Sequence, residues 1–137
     1  NINSAPTGNL ANTAQETPVW FCHNEQADFT PWADTGAISV PCKTTDNRVD
    51  IADAMSQLAT NGLTRIFCEG GGTLGGSLIA AGLVDQLIIM HAGVAIGADG
   101  KPSLGNMNNT ILANAPRFKL NDLRQLGNDT ISVWKKP

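Results

Sequence analysis

The sequence predicts an α/β fold: three layers, with one mixed, mostly parallel sheet covered by helices on both faces and an antiparallel hairpin at the C-terminal end. Three observations predict it. Arg65-Ile66-Phe67-Cys68, a short β-leaning run, leads through Glu69 and three consecutive glycines into an apolar-periodic segment that stops at Gly82, the order of strand, glycine turn and helix. Gln86 to Ala92 is nearly all apolar, as expected of a strand covered on both faces. Arg117 to Leu126 and Thr130 to Trp134 flank Gly127-Asn128-Asp129, a short hairpin connection. Helices between the early strands and a hairpin at the end imply a mixed sheet with an antiparallel edge.

Taken in order, Asn1 to Thr17 is rich in Asn, Thr, Ala and Pro and reads as an irregular connection. Pro18-Val19-Trp20-Phe21-Cys22 is a short buried strand. Asn24 to Gly36 is polar, is interrupted by Pro31, and allows at most one helical turn. Ala37-Ile38-Ser39-Val40 is a second strand, ended by Pro41. Asp50 to Asn61 is an amphipathic helix, because Ile51, Met55, Leu58 and Ala59 recur at helical spacing. Asp50 or Asn47 can cap its start and Gly62 suits the C′ position. The Met55–Leu58 stripe reads as core. In the helix after the glycines, Thr73 is the expected N-cap, and Leu74, Leu78 and Ala81 share a face. Gly93 to Asn109, rich in glycine and asparagine, is a long loop. Neither an internal repeat nor a domain boundary interrupts residues 1–137, so one domain is expected.

Composition narrows the functional classes. Hydrophobic residues make up 42% of the 137 and charged residues 15%, which suits one well-covered sheet. The formal charge of −3 argues against a nucleic-acid partner, which needs a basic stripe. The basic residues of the C-terminal third, Lys101, Arg117, Lys119, Arg124, Lys135 and Lys136, are spread out and read as solvated. Cys22, Cys42 and Cys68 are widely spaced and form no CxxC, so they suggest no disulfide framework or zinc site and read as buried small hydrophobes. With only His23 and His91 available, no metal site is expected. No run approaches the roughly 18 apolar residues of a membrane span, and no signal peptide is visible. The expectation is a protein of the reducing cytoplasm with no membrane partner.

The chemistry concentrates at the glycine turn. Glycines let the main chain adopt unusual conformations and let a ligand approach with no Cβ in the way. The first-turn amides and the positive end of the helix dipole favour an anion. Gly70, Gly72 and Gly75 formally satisfy GxGxxG. The acid that normally follows about 20 residues later is replaced by Ile89-Met90-His91, and no Lys-Ser/Thr pair marks a Walker loop. Two readings stay open: a turn that grips phosphate, or one that merely packs a helix tightly on the sheet. Five glycines between Gly70 and Gly76 exceed what a turn requires and favour the first. Glu69, at the C-terminal end of the expected strand, lies where open α/β sheets bind ligands.

EGGGTLGGSLIAAGLVDQL resembles the signature of the reductase domain of the bifunctional riboflavin-biosynthesis proteins, the pyrimidine deaminase/reductase family with a dihydrofolate-reductase-like fold. NINSAPTGNLANTAQETPVW, VDIADAMSQLATNGLTRIFCEGG, HAGVAIGADGKPSLG and APRFKLNDLRQLGNDTISVW are similar to further segments of that family in the same order. Gln86 stands where an acid is common and Gly93 where proline is common. The family's first strands and helices have no counterpart here, so the chain looks like the C-terminal portion of such a domain.

The resemblance implies hydride transfer from NADPH to the ribose of a phosphoribosylaminopyrimidine, the step of a 5-amino-6-(5-phosphoribosylamino)uracil reductase. It implies that Gly71, Gly72, Thr73, Leu74, Gly75, Gly76 and Ser77 bind the cofactor and that Glu69 meets the substrate. It implies a homodimer and allows a preceding deaminase domain in the intact protein. No catalytic residue is assigned: Asp85 reads as a helix–strand junction cap and His91 as structural. The alternative is a non-catalytic nucleotide-binding or dimerisation fragment of such a reductase.

Overall fold

The computed structural model describes residues 6–107 and 111–137. Asn108 and Asn109, at the end of the expected loop, and Asn1 to Ala5, at the start of the expected irregular segment, lie outside the described residues. The chain forms two compact units, Asn1–Ile66 and Phe67–Pro137, and the expected Arg65–Cys68 strand straddles their boundary.

In the first unit the connection expected to be irregular contains a short helix, α1 (Asn9–Thr13). β1 (Trp20–Asn24) and β2 (Ile38–Cys42) pair in parallel, from Trp20 opposite Ile38 to Asn24 opposite Cys42. Pro41 lies within β2 instead of ending it, since an edge strand tolerates a proline whose missing N–H would face away from the partner. A 3₁₀ turn, Thr30–Thr35, links the two strands and stops at Gly36 with φ 84°. The short antiparallel strands β3 (Thr44–Thr45) and β4 (Arg48–Val49) were not anticipated. Asp46 and Asn47 join them at φ 51° and 61°, and these two residue types tolerate the left-handed region that a tight hairpin demands.

α2 (Ile51–Thr60) is capped by Asp50, whose carboxylate accepts from the amides of Ala52 and Asp53. It closes on a Schellman motif: Gly62 donates to Ala59 and Leu63 to Leu58, with Gly62 at φ 93°. Its inner face and the β1–β2 pair enclose Val40, Cys42 and Ala54, with Trp20, Cys22, Val49 and Leu58 packed around them. Burial pushes the Cys42 thiol up to about 11. On the other face of the pair, Phe21 meets Trp32 at 4.6 Å and Phe29 stacks on His23.

The second unit holds α3 (Gly72–Ala80) and a three-stranded antiparallel sheet. Its strands are β5 (Gln86–His91), β6 (Lys119–Leu126) and β7 (Asp129–Lys135), in the order β5-β7-β6. A bulge between Leu120 and Asp122 shifts the β6 register. Leu78, Ile79, Ser132 and Val133 are buried in this unit.

The α/β class stands, but the sheet is divided into small pieces. Arg65–Cys68 forms no ladder, and Ile66 and Phe67 are 46% and 74% exposed. β propensity produces extended backbone, whereas a strand exists only through its partners, and no described strand pairs with this segment. Cys68 is exposed for the same reason, against the expectation that all three cysteines are buried. Among the described residues no helix is long and apolar enough to cross a membrane, and no His/Cys/Asp/Glu group could hold a metal.

Candidate functional site

The glycine-rich turn opens α3 as the sequence suggests, but Gly71 is the N-cap and Thr73 is already inside the helix. A cap needs extended backbone, and Gly71 supplies it at φ −67°, ψ 171° with no side-chain hydrogen bond to the first turn. The first intrahelical bond runs from the Gly75 amide to the Gly71 carbonyl at 3.1 Å. The amides of Gly72, Thr73 and Leu74 therefore have no partner inside the helix, the usual state of a helix start. Their positive partial charge makes the end of α3 adjoining Gly71 attractive to an anion.

The five glycines do different work. A Cβ at Gly71 would meet nothing within 4 Å, so this face of the turn is open. A Cβ at Gly72 would lie 2.9 Å from the carbonyl oxygens of both Pro102 and Ser103. At Gly76 it would lie 3.2 Å from the Gly105 carbonyl oxygen, and at Gly75 3.4 Å from Leu104 Cδ2. At Gly70 it would collide with Leu74 at 2.6 Å. The segment from Pro102 to Met107 thus lies directly on the first turns of α3, and the Gly105 amide donates to the Gly72 carbonyl at 2.7 Å. Gly72 and Gly76, one helical turn apart, serve this close approach. Two of the glycines thus pack a neighbouring non-strand segment on the helix, in place of the expected sheet, while Gly71 leaves main chain bare.

The remaining candidates follow from this arrangement. Thr73 is exposed, with its Cα against Gly105. Leu74 is 41% exposed. Ser77 donates its hydroxyl to the Thr73 carbonyl at 3.0 Å, a bond back into its own helix. Glu69 is exposed in the unpaired segment before the turn, two residues from the Gly71 N-cap. The Asp85 carbonyl accepts from the Lys136 amide at 2.9 Å, which ties the start of β5 to the end of β7; the Asp85 side chain caps no backbone amide among the described residues. His91, at the end of β5, is exposed. The segment Pro102–Met107 escaped the sequence reading; the one available signal was the i, i+4 glycine pair, which is the spacing of a helix face approached closely by another chain segment.

The residues fit a dinucleotide's phosphates on one flank. Gly71 leaves space for phosphoryl oxygens to reach the main chain, and three amides at a helix start are the donors such oxygens need. The flank at Gly72 is closed to a ligand by the Pro102 and Ser103 carbonyls, whose negative ends would repel an anion there.

Residues 4–132 match the RibD C-terminal domain family. The chain is 32% identical over 116 residues to the riboflavin biosynthesis protein RibD of Escherichia coli, covering 84% of this chain and 31% of that protein. It is 28% identical over 84 residues to the 5-amino-6-(5-phosphoribosylamino)uracil reductase of Buchnera aphidicola, covering 61% of this chain and 41% of that protein. Acinetobacter baumannii RibD superposes with a TM-score of 0.72 at 21% identity, over 94% of this chain and 34% of that one; at this identity the likeness speaks for the fold alone. The chain thus spans about a third of the RibD proteins it resembles. With the α/β fold, the glycine turn at the head of α3 and a family match over most of its length, this chain belongs to the RibD C-terminal domain family.

Proposed function

We propose that this chain forms the cofactor-binding wall of a reductase of riboflavin biosynthesis, a 5-amino-6-(5-phosphoribosylamino)uracil reductase. The cofactor proposed is NADPH, which supplies the hydride when bound. The amides of Gly72, Thr73 and Leu74 receive phosphoryl oxygens across the open face of Gly71. Glu69 stands at the mouth of the turn, where a carboxylate accepts hydrogen bonds from the hydroxyls of an opening ribose. Ser77 and Gly75 border the same turn, and Gly76 supports it from beneath. The observation that carries the reading is the uncovered Gly71 beside three uncapped amides. Family membership and the name of the Buchnera aphidicola relative support the proposed substrate class, a phosphoribosylaminopyrimidine. A homodimer in the cytoplasm, with a deaminase domain in the intact protein, belongs to the same proposal.

Titrating the 137-residue chain with NADPH, by fluorescence or calorimetry, tests it. Saturable binding that inorganic pyrophosphate competes away is expected, and absence of binding would refute the cofactor role. A second reading, a fragment that only packs or associates, draws on the two glycines taken up by the Pro102–Met107 segment. The same titration decides against it if NADPH binds.

A further inference from the structure

We infer that Gly105 is a positioning residue for the phosphate-binding turn, acting through the peptide unit that joins Gly72 to Thr73. The inference rests on the cofactor reading above and adds to it a residue more than thirty positions away in sequence.

The Gly105 amide donates to the Gly72 carbonyl at 2.7 Å, a short bond by backbone standards. That carbonyl belongs to the same rigid, planar unit as the Thr73 N–H. Thr73 supplies the middle one of the three first-turn amides that have no helical acceptor. A donor at one end of a peptide plane fixes its orientation. It also polarises the N–H at the other end, since hydrogen bonds in series strengthen one another. Gly105 thereby aims and sharpens the Thr73 donor without touching a ligand.

Steric contacts enforce the same alignment from both sides. A Cβ at Gly105 would lie 2.9 Å from Thr73 Cα and 3.2 Å from the Gly72 carbonyl oxygen. A Cβ at Gly72 would strike Pro102 and Ser103. Both positions must be glycine for the carbonyl and the amide to meet, so one interlock makes the bond and holds the peptide plane. Gly76 extends it by a helical turn, with room there for the Gly105 carbonyl and the Met107 side chain.

The experiment uses the full 137-residue chain in three forms: wild type, Gly105→Ala, and a semisynthetic form in which an ester replaces the Gly72-facing amide of residue 105. The ester removes the N–H and adds no side chain, so packing is retained even if the alanine form unfolds. NADPH affinity is read by calorimetry, and the Thr73 amide by its proton shift and solvent-exchange rate with and without NADPH. The ester form is expected to bind NADPH about three- to tenfold more weakly, as befits one lost hydrogen bond. Its Thr73 amide resonance should move even in the absence of cofactor. Gly105→Ala should lose at least as much affinity. An unchanged Thr73 amide in the ester form overturns the inference whether or not NADPH binds. Wild-type chain that ignores NADPH refutes the cofactor reading instead, and the Thr73 signal still decides the role of Gly105. A Thr73 amide that moves while affinity stays constant also overturns it, because the orientation would then be of no consequence to binding.

Discussion

At the scale of single residues, neighbouring glycines differ in what they can tolerate. Gly71→Ala should change stability by no more than about 0.5 kcal/mol, since its backbone is ordinary and its Cβ would meet open space. It should nonetheless weaken NADPH binding severalfold by standing in the approach to the amides. Gly72→Ala should cost about 1–3 kcal/mol by urea denaturation, because two backbone carbonyls stand at 2.9 Å from the new methyl; equal stability of the two variants would contradict the interlock. The cysteines separate in the same way. Iodoacetamide should modify exposed Cys68 first, and should reach buried Cys42 only after unfolding, an order that peptide mass spectrometry reads directly. Burial is the main cause that pushes the Cys42 thiol from 9.0 to about 11. A raised folded value means that the unfolded chain ionises first, so this contribution to stability is intact below pH 9.0 and drains away as the pH rises toward 11.

At the scale of elements, the helices owe their ends to residues visible in the sequence. Asp50 caps α2 as expected, and Gly62 and Gly82, both at positive φ, close α2 and α3 with the same pair of bonds. The Asp53 amide, followed by the Thr45 hydroxyl, holds the Asp50 carboxyl below its ordinary 3.8. A depressed folded value stabilises above the ordinary one and is lost as the pH falls through the folded one. Asp50→Ala should therefore lower the melting temperature by a few degrees at neutral pH and flatten the acid limb of the stability curve below pH 3.8; an unaltered limb would show that the cap contributes nothing. Strands were less legible. Gln86–His91 was readable as a strand because its apolar run is long, though exposed Ile88 and Met90 contradict the expected cover on both faces, and the closing hairpin because of its turn residues. Arg65–Cys68 carries the same β-leaning chemistry and pairs with nothing. The amides from Thr64 to Gly71 donate no backbone hydrogen bond among the described residues. Trypsin under native conditions should accordingly cut after Arg65 before it cuts within β6 or β7, and a first cut at Arg124 or Lys135 within the sheet would show otherwise.

At the scale of the molecule, the proposed role is binding without turnover: among the described residues Glu69 is the acid near the turn, and it is assigned to substrate hydroxyls and not to proton transfer. The chain alone is expected to bind NADPH without oxidising it in the presence of the deaminated pyrimidine substrate. Substrate-dependent loss of the cofactor's near-ultraviolet absorbance would overturn that expectation. What the sequence alone determined is local: the class of fold, the two longer helices, the N-cap of α2 and the glycines that close both helices, the apolar strand, the hairpin, and a glycine turn able to bare its main chain. Each depends on spacing or backbone preference within a dozen residues, which a linear chain displays. Only tertiary structure decided which glycine stays bare and which is roofed by Pro102 and Ser103, that Gly105 meets Gly72, and that Arg65–Cys68 finds no ladder. Those outcomes depend on which distant segments come within a few ångströms of each other, and residue periodicity carries no record of such encounters.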